Sequence, residues 1–187
     1  QGLPGDWFGT GLGRADSLGL HESHARFWEN FSGRSLPFFQ GMAPLVKEHC
    51  GVEVTADDLF GAANRVERSL IRVAADEATY NLHIIVRYQV ERALIDGDLS
   101  VADLPEAWND TYEKIVGVRP ANNVEGVLQD VHWSGGAFGY FPSYTLGNLY
   151  AASLGAKMVE EIPPLWEQVG AGAFSDALHW LRHPLPT

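Results

Sequence analysis

The sequence is poor in cysteine and in positive charge, and it has no long apolar run. Cys50 is the single cysteine and cannot form a disulfide within the chain, which suits a reducing compartment such as the cytoplasm. No stretch of 18 apolar residues occurs, so the sequence predicts no membrane span. The 13 Lys and Arg residues stand against 24 Asp and Glu residues, and the resulting net charge of −11 argues against nucleic-acid binding through phosphates. We therefore expect a cytoplasmic protein with neither a nucleic-acid nor a membrane partner.

Apolar residues are present in the amount that a sizeable core needs. They make up 45% of the 187 residues, and the six Trp, nine Phe and six Tyr are large bodies that would dominate such a core. The chain begins with the glycine-rich stretch "QGLPGDWFGTGLG" and ends abruptly with "HWLRHPLPT". Both ends are interpreted as cuts within a longer protein, and a processed terminus is the alternative.

Helical periodicity and helix-capping residues recur along most of the chain. Thr55 with Asp58 nearly matches a capping box, and Asp76 is a good N-cap for the long helix that follows it. The ranges predicted as helical are about 15–30, 36–50, from about 56, 77–96, 149–162 and 174–184. Another Ser-x-x-Asp cap, Ser100 with Asp103, is predicted to begin a further helix, and Pro105 suits the first turn of that helix. The stretch "SLIRVA" is predicted to be extended, and "SGGAFGYFPSYTLGN" to be a loop that enters a helix. The predicted fold class is mostly α, with at most a short β segment.

The stretch "LGLHESHARFWEN" gathers histidines and acids on one predicted helix. His21 and His24 face roughly alike, whereas Glu22 points elsewhere, so these three residues make a poor single chelate. Glu22 and Arg26 have the spacing of an ordinary surface ion pair. The alternatives are that ion pair, a carboxylate ligand for zinc, or an independent metal site at His21 and His24.

Two further segments carry polar groups suited to substrate binding. "IRVAAD" contains Arg72 and Asp76, which are either a salt bridge with an N-cap or include an arginine that captures a substrate carboxylate. "GVLQDVHW" contains Gln129, Asp130 and His132. His132 is either a structural residue or a proton donor or acceptor near neutral pH.

The segment "GGAFGYFPSY" contributes Tyr140 and Tyr144. The hydroxyl group of either tyrosine could donate a hydrogen bond to a developing oxyanion, and core packing is the alternative. Its glycines do not have the spacing of a dinucleotide or P-loop motif, and no G-x-S-x-G motif supports a serine hydrolase.

In this order, "GTGLGRADSLGLHESHARFWEN", "IRVAADEATYNLHI" and "EGVLQDVHWSGGAFGYFPSYTLGNLYAA" resemble successive motifs of the thermostable carboxypeptidase Taq family. These proteins are zinc metallocarboxypeptidases of the broader HExxH clan, and the similarity extends from residue 1 to about residue 180. The resemblance implies a bundle-like half of a larger all-α metallopeptidase. It makes residues 1–187 a single C-terminal fragment of the catalytic region.

The resemblance also implies a role for each matching residue. The implied site residues are Glu22 as a metal ligand, Arg72, Asp76 and Gln129 in substrate binding, and His132, Tyr140 and Tyr144 in catalysis. Arg72 would recognise the C-terminal carboxylate of a peptide substrate, and the cofactor would be zinc or another divalent metal. The implied assembly is a homodimer.

The sequence departs from the family pattern in two places. The family usually has "HESQSR" where this chain has "HESHAR", so His24 and Ala25 are replacements while Glu22 is retained. No HExxH motif, which supplies two His ligands and the catalytic Glu in the family, occurs in the 187 residues. We therefore expect the chain alone to be inactive. The alternative function is a non-catalytic helical binding or scaffold module that keeps the fold without the zinc site.

Overall fold

The computed structural model describes residues 5–14 and 17–182, and within those ranges every regular element is helical. This finding confirms the predicted mostly α class. The helices are α1 (Leu18–Arg26), α2 (Leu36–Cys50), α3 (Ala56–Ala63), α4 (Glu77–Asp96), α5 (Leu104–Val116), α6 (Pro142–Glu161), α7 (Leu165–Gly170) and α8 (Ser175–Arg182). A π-helical segment, Phe27–Ser32, continues α1. No helix among the described residues is long and apolar enough to cross a bilayer.

Local capping explains where several helices begin and end. The Ser35 hydroxyl accepts a hydrogen bond from the backbone N–H of Phe38 at the start of α2, and Gly51 ends that helix with a φ of 68°. Thr55 and Asp58 form the complete capping box of α3. The predicted bounds of α2 and the predicted start of α3 are therefore confirmed.

The long helix α4 also has the predicted ends. Asp76 is its N-cap and accepts a hydrogen bond from the backbone N–H of Thr79, and Gly97 follows its last residue with a φ of 82°. Because a side chain at φ > 0 is strained, glycine suits this last position.

The prediction of an extended "SLIRVA" segment is wrong at its end. Arg72–Ala74 forms a 3₁₀ turn, in which the N–H groups of Ala74 and Ala75 bond back to the carbonyl groups of Ile71 and Arg72. The "GVLQDVHW" segment forms turns. Residues 15 and 16, the predicted start of the first helix, lie outside the described residues, as do 1–4 and 183–187.

The chain divides into two compact units. The first contains Gln1–Asn64 and Leu146–Thr187, and the second contains Arg65–Thr145. The core of the first unit is formed by Phe27, Ala151, Met158, Leu165, Val169 and Ala177. In this unit Gly155 lets α6 approach the ring of Phe31, because a Cβ atom there would lie 2.8 Å from the Cζ atom of Phe31.

The core of the second unit lies around α4 and α5. Its two buried clusters are Val86, Val90, Trp108, Tyr112 and Val116, and Ala75, Tyr80, Ile84 and Phe141. The buried face of α4 also carries three polar residues, His83, Arg87 and Glu91. Buried polar groups need partners inside the protein. The side chains of Arg87 and Glu91 find theirs in the turns that precede α6, and His83 finds its partner in Tyr112 of α5.

Candidate functional site

Asp130 lies between two arginines of the second unit. Its Oδ1 atom accepts hydrogen bonds from Arg72 Nε at 3.0 Å and Nη2 at 2.7 Å, and its Oδ2 atom accepts one from Arg87 Nε at 2.6 Å. Burial alone would raise the pKa of Asp130, but the hydrogen bonds and charges of Arg72 and Arg87 outweigh burial and lower it. The Asp130 carboxylate is therefore ionised and holds both guanidinium groups in place.

Arg72 is oriented by further contacts. Its Nη1 atom donates a hydrogen bond to the Tyr80 hydroxyl at 2.8 Å, and its guanidinium carbon lies 4.8 Å from the ring centroid of Tyr144. Burial would lower the pKa of Arg72, but Asp130 and Tyr80 raise it. Three of its five side-chain N–H groups make these bonds to Asp130 and Tyr80, so two donors remain.

Gln129 ties this cluster to the backbone. Its Oε1 atom accepts hydrogen bonds from the backbone N–H of Arg72 at 3.0 Å and from Arg87 Nη2 at 2.7 Å. Its Nε2 atom donates to the carbonyl oxygens of Leu70 at 3.0 Å and Glu125 at 2.9 Å. The side-chain amide of Gln129 thereby fixes the "GVLQDVHW" turns against the segment that carries Arg72.

His132 stands at the edge of the same cluster. Its Nε2 atom lies 3.0 Å from the Tyr144 hydroxyl, and its Nδ1 atom lies 3.8 Å from Asp130 Oδ1. The His132 ring centroid is 5.3 Å from that of Tyr140 and 4.4 Å from that of Phe141. Burial lowers the pKa of His132 and the charge of Asp130 opposes this shift only in part, so the imidazole is neutral at pH 7.

Asp76 has a capping role in the structure. It accepts hydrogen bonds from the backbone N–H of Thr79 at 2.9 Å and of Glu67 at 3.1 Å. Burial would raise the pKa of Asp76, but a hydrogen bond from the Thr79 hydroxyl at 2.7 Å, together with these backbone bonds, lowers it. The N-cap interpretation is confirmed, while the ion-pair partner of Arg72 is Asp130.

Glu22 belongs to the first unit and lies on α1. Its Oε1 atom is 3.6 Å from Arg26 Nε, so the two side chains form an ion pair, and the Glu22 side chain is 17% exposed. Because Arg26 is buried, the pair is not the ordinary surface ion pair that the spacing predicted. A Cβ atom at Gly147 of α6 would lie 2.8 Å from the Cβ and Cγ atoms of Glu22, so the base of this side chain is closely packed. The first two carbon atoms of the Glu22 side chain are therefore packed against α6.

His21 and His24 line a cavity of about 460 Å³ in the first unit, together with Ala25, Trp28, Leu178, Leu181 and Arg182. Burial is the main cause that lowers the pKa of His24. Across residues 5–14 and 17–182, no group of three or more His, Cys, Asp or Glu side chains is arranged to hold a metal ion. The described residues alone therefore do not fit a complete metal site, and Glu22 is at most one ligand of such a site.

Sequence reasoning missed four residues that shape the cluster, namely Tyr80, Arg87, Glu91 and Tyr112. The first three lie on the face of α4 that hydrophobic periodicity assigns to the interior. A charged residue at such a position needs a buried partner, and this requirement was the available signal. Tyr112, on α5, gave no comparable signal because an aromatic residue on an apolar face is usual.

Comparisons with known proteins identify the family of this chain. The family model described as carboxypeptidase Taq (M32) metallopeptidase matches residues 1–185. Thermostable carboxypeptidase 1 of Thermus thermophilus is 52% identical over 97% of this chain and 36% of its own length. Carboxypeptidase 1 of Bacillus subtilis is 45% identical over 92% of this chain and 35% of its own length.

A solved structure has the same fold. The M32 carboxypeptidase of Deinococcus radiodurans superimposes with a TM-score of 0.87 and 41% identity, over 97% of this chain and 37% of that one. The chain thus spans about a third of the length of the relatives that it matches. With a family match over residues 1–185, the chain belongs to the carboxypeptidase Taq (M32) metallopeptidase family.

Proposed function

We propose that this chain is the C-terminal part of the catalytic region of a zinc-dependent metallocarboxypeptidase, which releases amino acids from the C-termini of peptides. The observation that carries the proposal is the cluster of the second unit. There a buried cation, Arg72, lies 4.8 Å from the ring of Tyr144, whose hydroxyl is 3.0 Å from the neutral imidazole of His132. A carboxylate-binding group and two hydrogen-bonding groups are thereby collected in one place.

The substrate in this proposal is a peptide with a free C-terminal carboxylate. Arg72 is the recognising residue, because Asp130 and Tyr80 fix its planar guanidinium and leave two N–H donors for a second carboxylate. The substrate-binding roles of Gln129 and Asp76 are proposed to act through Arg72. Gln129 accepts the backbone N–H of Arg72, and Asp76 caps the helix that follows the Arg72–Ala74 turn.

The catalytic residues in this proposal are His132, Tyr140 and Tyr144. A neutral imidazole or a phenol can donate a hydrogen bond to the oxyanion that develops at a scissile carbonyl. The support for this role is their mutual geometry, since the His132 ring lies 5.3 Å from Tyr140 and 5.9 Å from Tyr144 between centroids.

The metal in this proposal is zinc or another divalent cation, and Glu22 is proposed as one of its ligands. Support comes from the family match and from a carboxylate on a helix whose base is closely packed. The remaining ligands would have to come from outside the described residues, which contain no group of three suitable side chains.

We also propose that the complete protein is a cytoplasmic homodimer. The cytoplasmic location is supported by the single cysteine among these 187 residues. The homodimer is supported by the exposed apolar side chains of Ile85, Tyr88 and Ile95 on α4. Light scattering coupled to size-exclusion chromatography measures the mass, and a monomer at micromolar concentration would contradict the homodimer.

A peptide-hydrolysis assay tests the function. The complete gene product and this chain alone are incubated with a peptide that has a free C-terminus and with the same peptide amidated. We expect the gene product to release the last residue of the free peptide only, and this chain alone to release nothing. A gene product inactive toward the free peptide, with and without added zinc, would overturn the proposal in favour of a scaffold module.

A further inference from the structure

Glu91 is a buried carboxylate that the proposed function leaves without a role. It lies on the buried face of α4, and the residue is 8% exposed. Its Oε2 atom accepts a hydrogen bond from the indole Nε1 of Trp133 at 2.7 Å, and its Oε1 atom accepts one from the backbone N–H of Gly139. Within the part of the chain that the structure describes, no cation lies within ion-pair distance of it.

A buried carboxylate without a cation is unfavourable unless strong hydrogen bonds replace water. Here both oxygen atoms accept charge-assisted bonds, and both donors are neutral. An apolar side chain would fill the same interior position without this requirement. Burial alone therefore does not explain a carboxylate at position 91, whereas its two hydrogen bonds, to Trp133 and Gly139, do.

The two donors stand at opposite ends of one loop, Trp133–Gly139. Within this loop the N–H of Gly136 bonds to the carbonyl of Trp133 at 3.0 Å, and φ is +77° at Gly136 and +71° at Gly139. His132 directly precedes the loop and Tyr140 directly follows it. The loop therefore joins two proposed catalytic residues, whose ring centroids lie 5.3 Å apart.

We propose that Glu91 is a positioning residue, which closes the Trp133–Gly139 loop by accepting a hydrogen bond at each end. It thereby holds His132 and Tyr140 at the separation that oxyanion binding needs. The catalytic roles of His132 and Tyr140 in this inference rest on the proposed function. The closure of the loop by Glu91 rests only on the hydrogen bonds seen in the structure.

Accepting a hydrogen bond from each end of the loop requires a carboxylate. It offers two acceptor oxygens to two N–H donors, whereas a glutamine offers one oxygen and one NH₂ group. In a Glu91→Gln variant one donor, either Trp133 Nε1 or the Gly139 N–H, would face another donor. The substitution keeps the size of the side chain, so its effect isolates the second acceptor.

Amide hydrogen exchange and NMR on this chain test the closure. In Glu91→Gln we expect the Gly139 amide to exchange at least about tenfold faster and the Trp133 indole N–H resonance to shift, with α5 amides unchanged. Glu77→Gln, which removes an exposed carboxylate of the same helix, is the matched control and should behave as the wild type. Gly139 protection that survives Glu91→Gln would overturn the inference.

Steady-state kinetics on the complete gene product test the positioning role. We expect Glu91→Gln to lower kcat at least about tenfold with little change in KM, because Glu91 makes no bond to Arg72. Glu77→Gln should leave both constants unchanged. If the wild type is active and Glu91→Gln keeps its full kcat, the inference is overturned. If the wild type is inactive, the proposed function is overturned, and the hydrogen-exchange data still decide whether Glu91 closes the loop.

A second variant covers the case in which Glu91→Gln does not fold. Trp133→Phe removes the indole donor at one end of the loop and keeps an aromatic ring among Trp108 and Phe141. We expect faster Gly139 exchange and lower kcat than in the wild type. A folded Trp133→Phe protein with wild-type exchange and kcat would contradict the inference.

Discussion

At the scale of single residues, some of the polar and charged groups buried in the second unit could be predicted from the sequence and others could not. The family resemblance implied that Arg72, Gln129 and His132 are site residues, and in the structure they lie around Asp130. Arg87 was not predicted, although it is fully buried and shares the same carboxylate. Sequence spacing can reveal that a residue lies on a buried helix face, but not which distant side chain meets it there.

Replacing the central carboxylate should destabilise the protein strongly. An Asp130→Asn variant leaves two buried guanidinium groups without an anion, and breaking such a buried pair costs about 3–5 kcal/mol. Urea unfolding followed by circular dichroism measures the loss. Asp110→Asn, in the exposed cluster around Arg119, is the control and should leave the unfolding midpoint nearly unchanged. Similar losses in both variants would contradict the central role of Asp130.

His83 should make stability depend on pH. The Tyr112 hydroxyl donates to the carbonyl of Leu70 at 2.5 Å, so His83 Nδ1, at 2.6 Å, must donate to the Tyr112 oxygen. His83 Nε2 is then unprotonated and buried, without a partner among the described residues. Burial, followed by the charges of Arg87 and Arg72, lowers the pKa of His83 to about 4.

The sign of this pH effect follows from the two pKa values. Between about pH 6.5 and pH 4 the unfolded chain binds a proton that the folded chain does not, so stability falls as pH falls through this window. Between pH 7 and pH 4.5 we expect His83 to contribute roughly 2–3 kcal/mol of the loss. Urea unfolding of wild type and His83→Gln at both pH values measures it. An equal pH effect in both proteins would refute the assignment.

At the scale of helices, local sequence was sufficient to predict the ends of those helices that have capping residues. Ser35, Thr55, Asp76 and Gly51 stand where the capping rules place them, and α2 and α4 have the predicted bounds. The π-helical segment Phe27–Ser32 was not predicted. Its conformation accompanies ring contacts made across the fold, such as the 5.0 Å stacking of Phe31 on Trp166, and contacts of this range are not visible in a local sequence window.

A glycine on α6 gives a prediction at this scale. In Gly155→Ala the new methyl group would overlap the ring of Phe31, so the variant should lose about 1–3 kcal/mol although alanine favours helix. Gly61→Ala on α3 is the control, because nothing lies within 4 Å of its Cβ position. It should gain about 0.5–1 kcal/mol. Thermal unfolding measures both, and a stabilised Gly155→Ala would show that the two elements do not approach as described.

At the scale of the whole chain, the mostly α fold class was predictable and the division into two units was not. The first unit is assembled from the two ends of the chain, and one boundary, between Thr145 and Leu146, lies inside α6. Linkers between compact units are usually recognised by composition, and a boundary within a helix leaves no such signal. The family membership came from motif order, because no single motif was specific enough.

Metal binding should depend on more polypeptide than this chain contains. Isothermal titration of this chain with zinc should show no tight one-to-one site, because residues 5–14 and 17–182 contain no group of three side chains arranged to hold a metal ion. In the complete gene product, Glu22→Gln should lower the zinc content measured by atomic absorption by at least about tenfold after dialysis. Glu29→Gln, which removes a more exposed carboxylate partner of Arg26, should keep its zinc. Full zinc content in Glu22→Gln would show that Glu22 is not a zinc ligand. The proposed role of Arg72 and His132 would then still be tested by the peptide-hydrolysis assay.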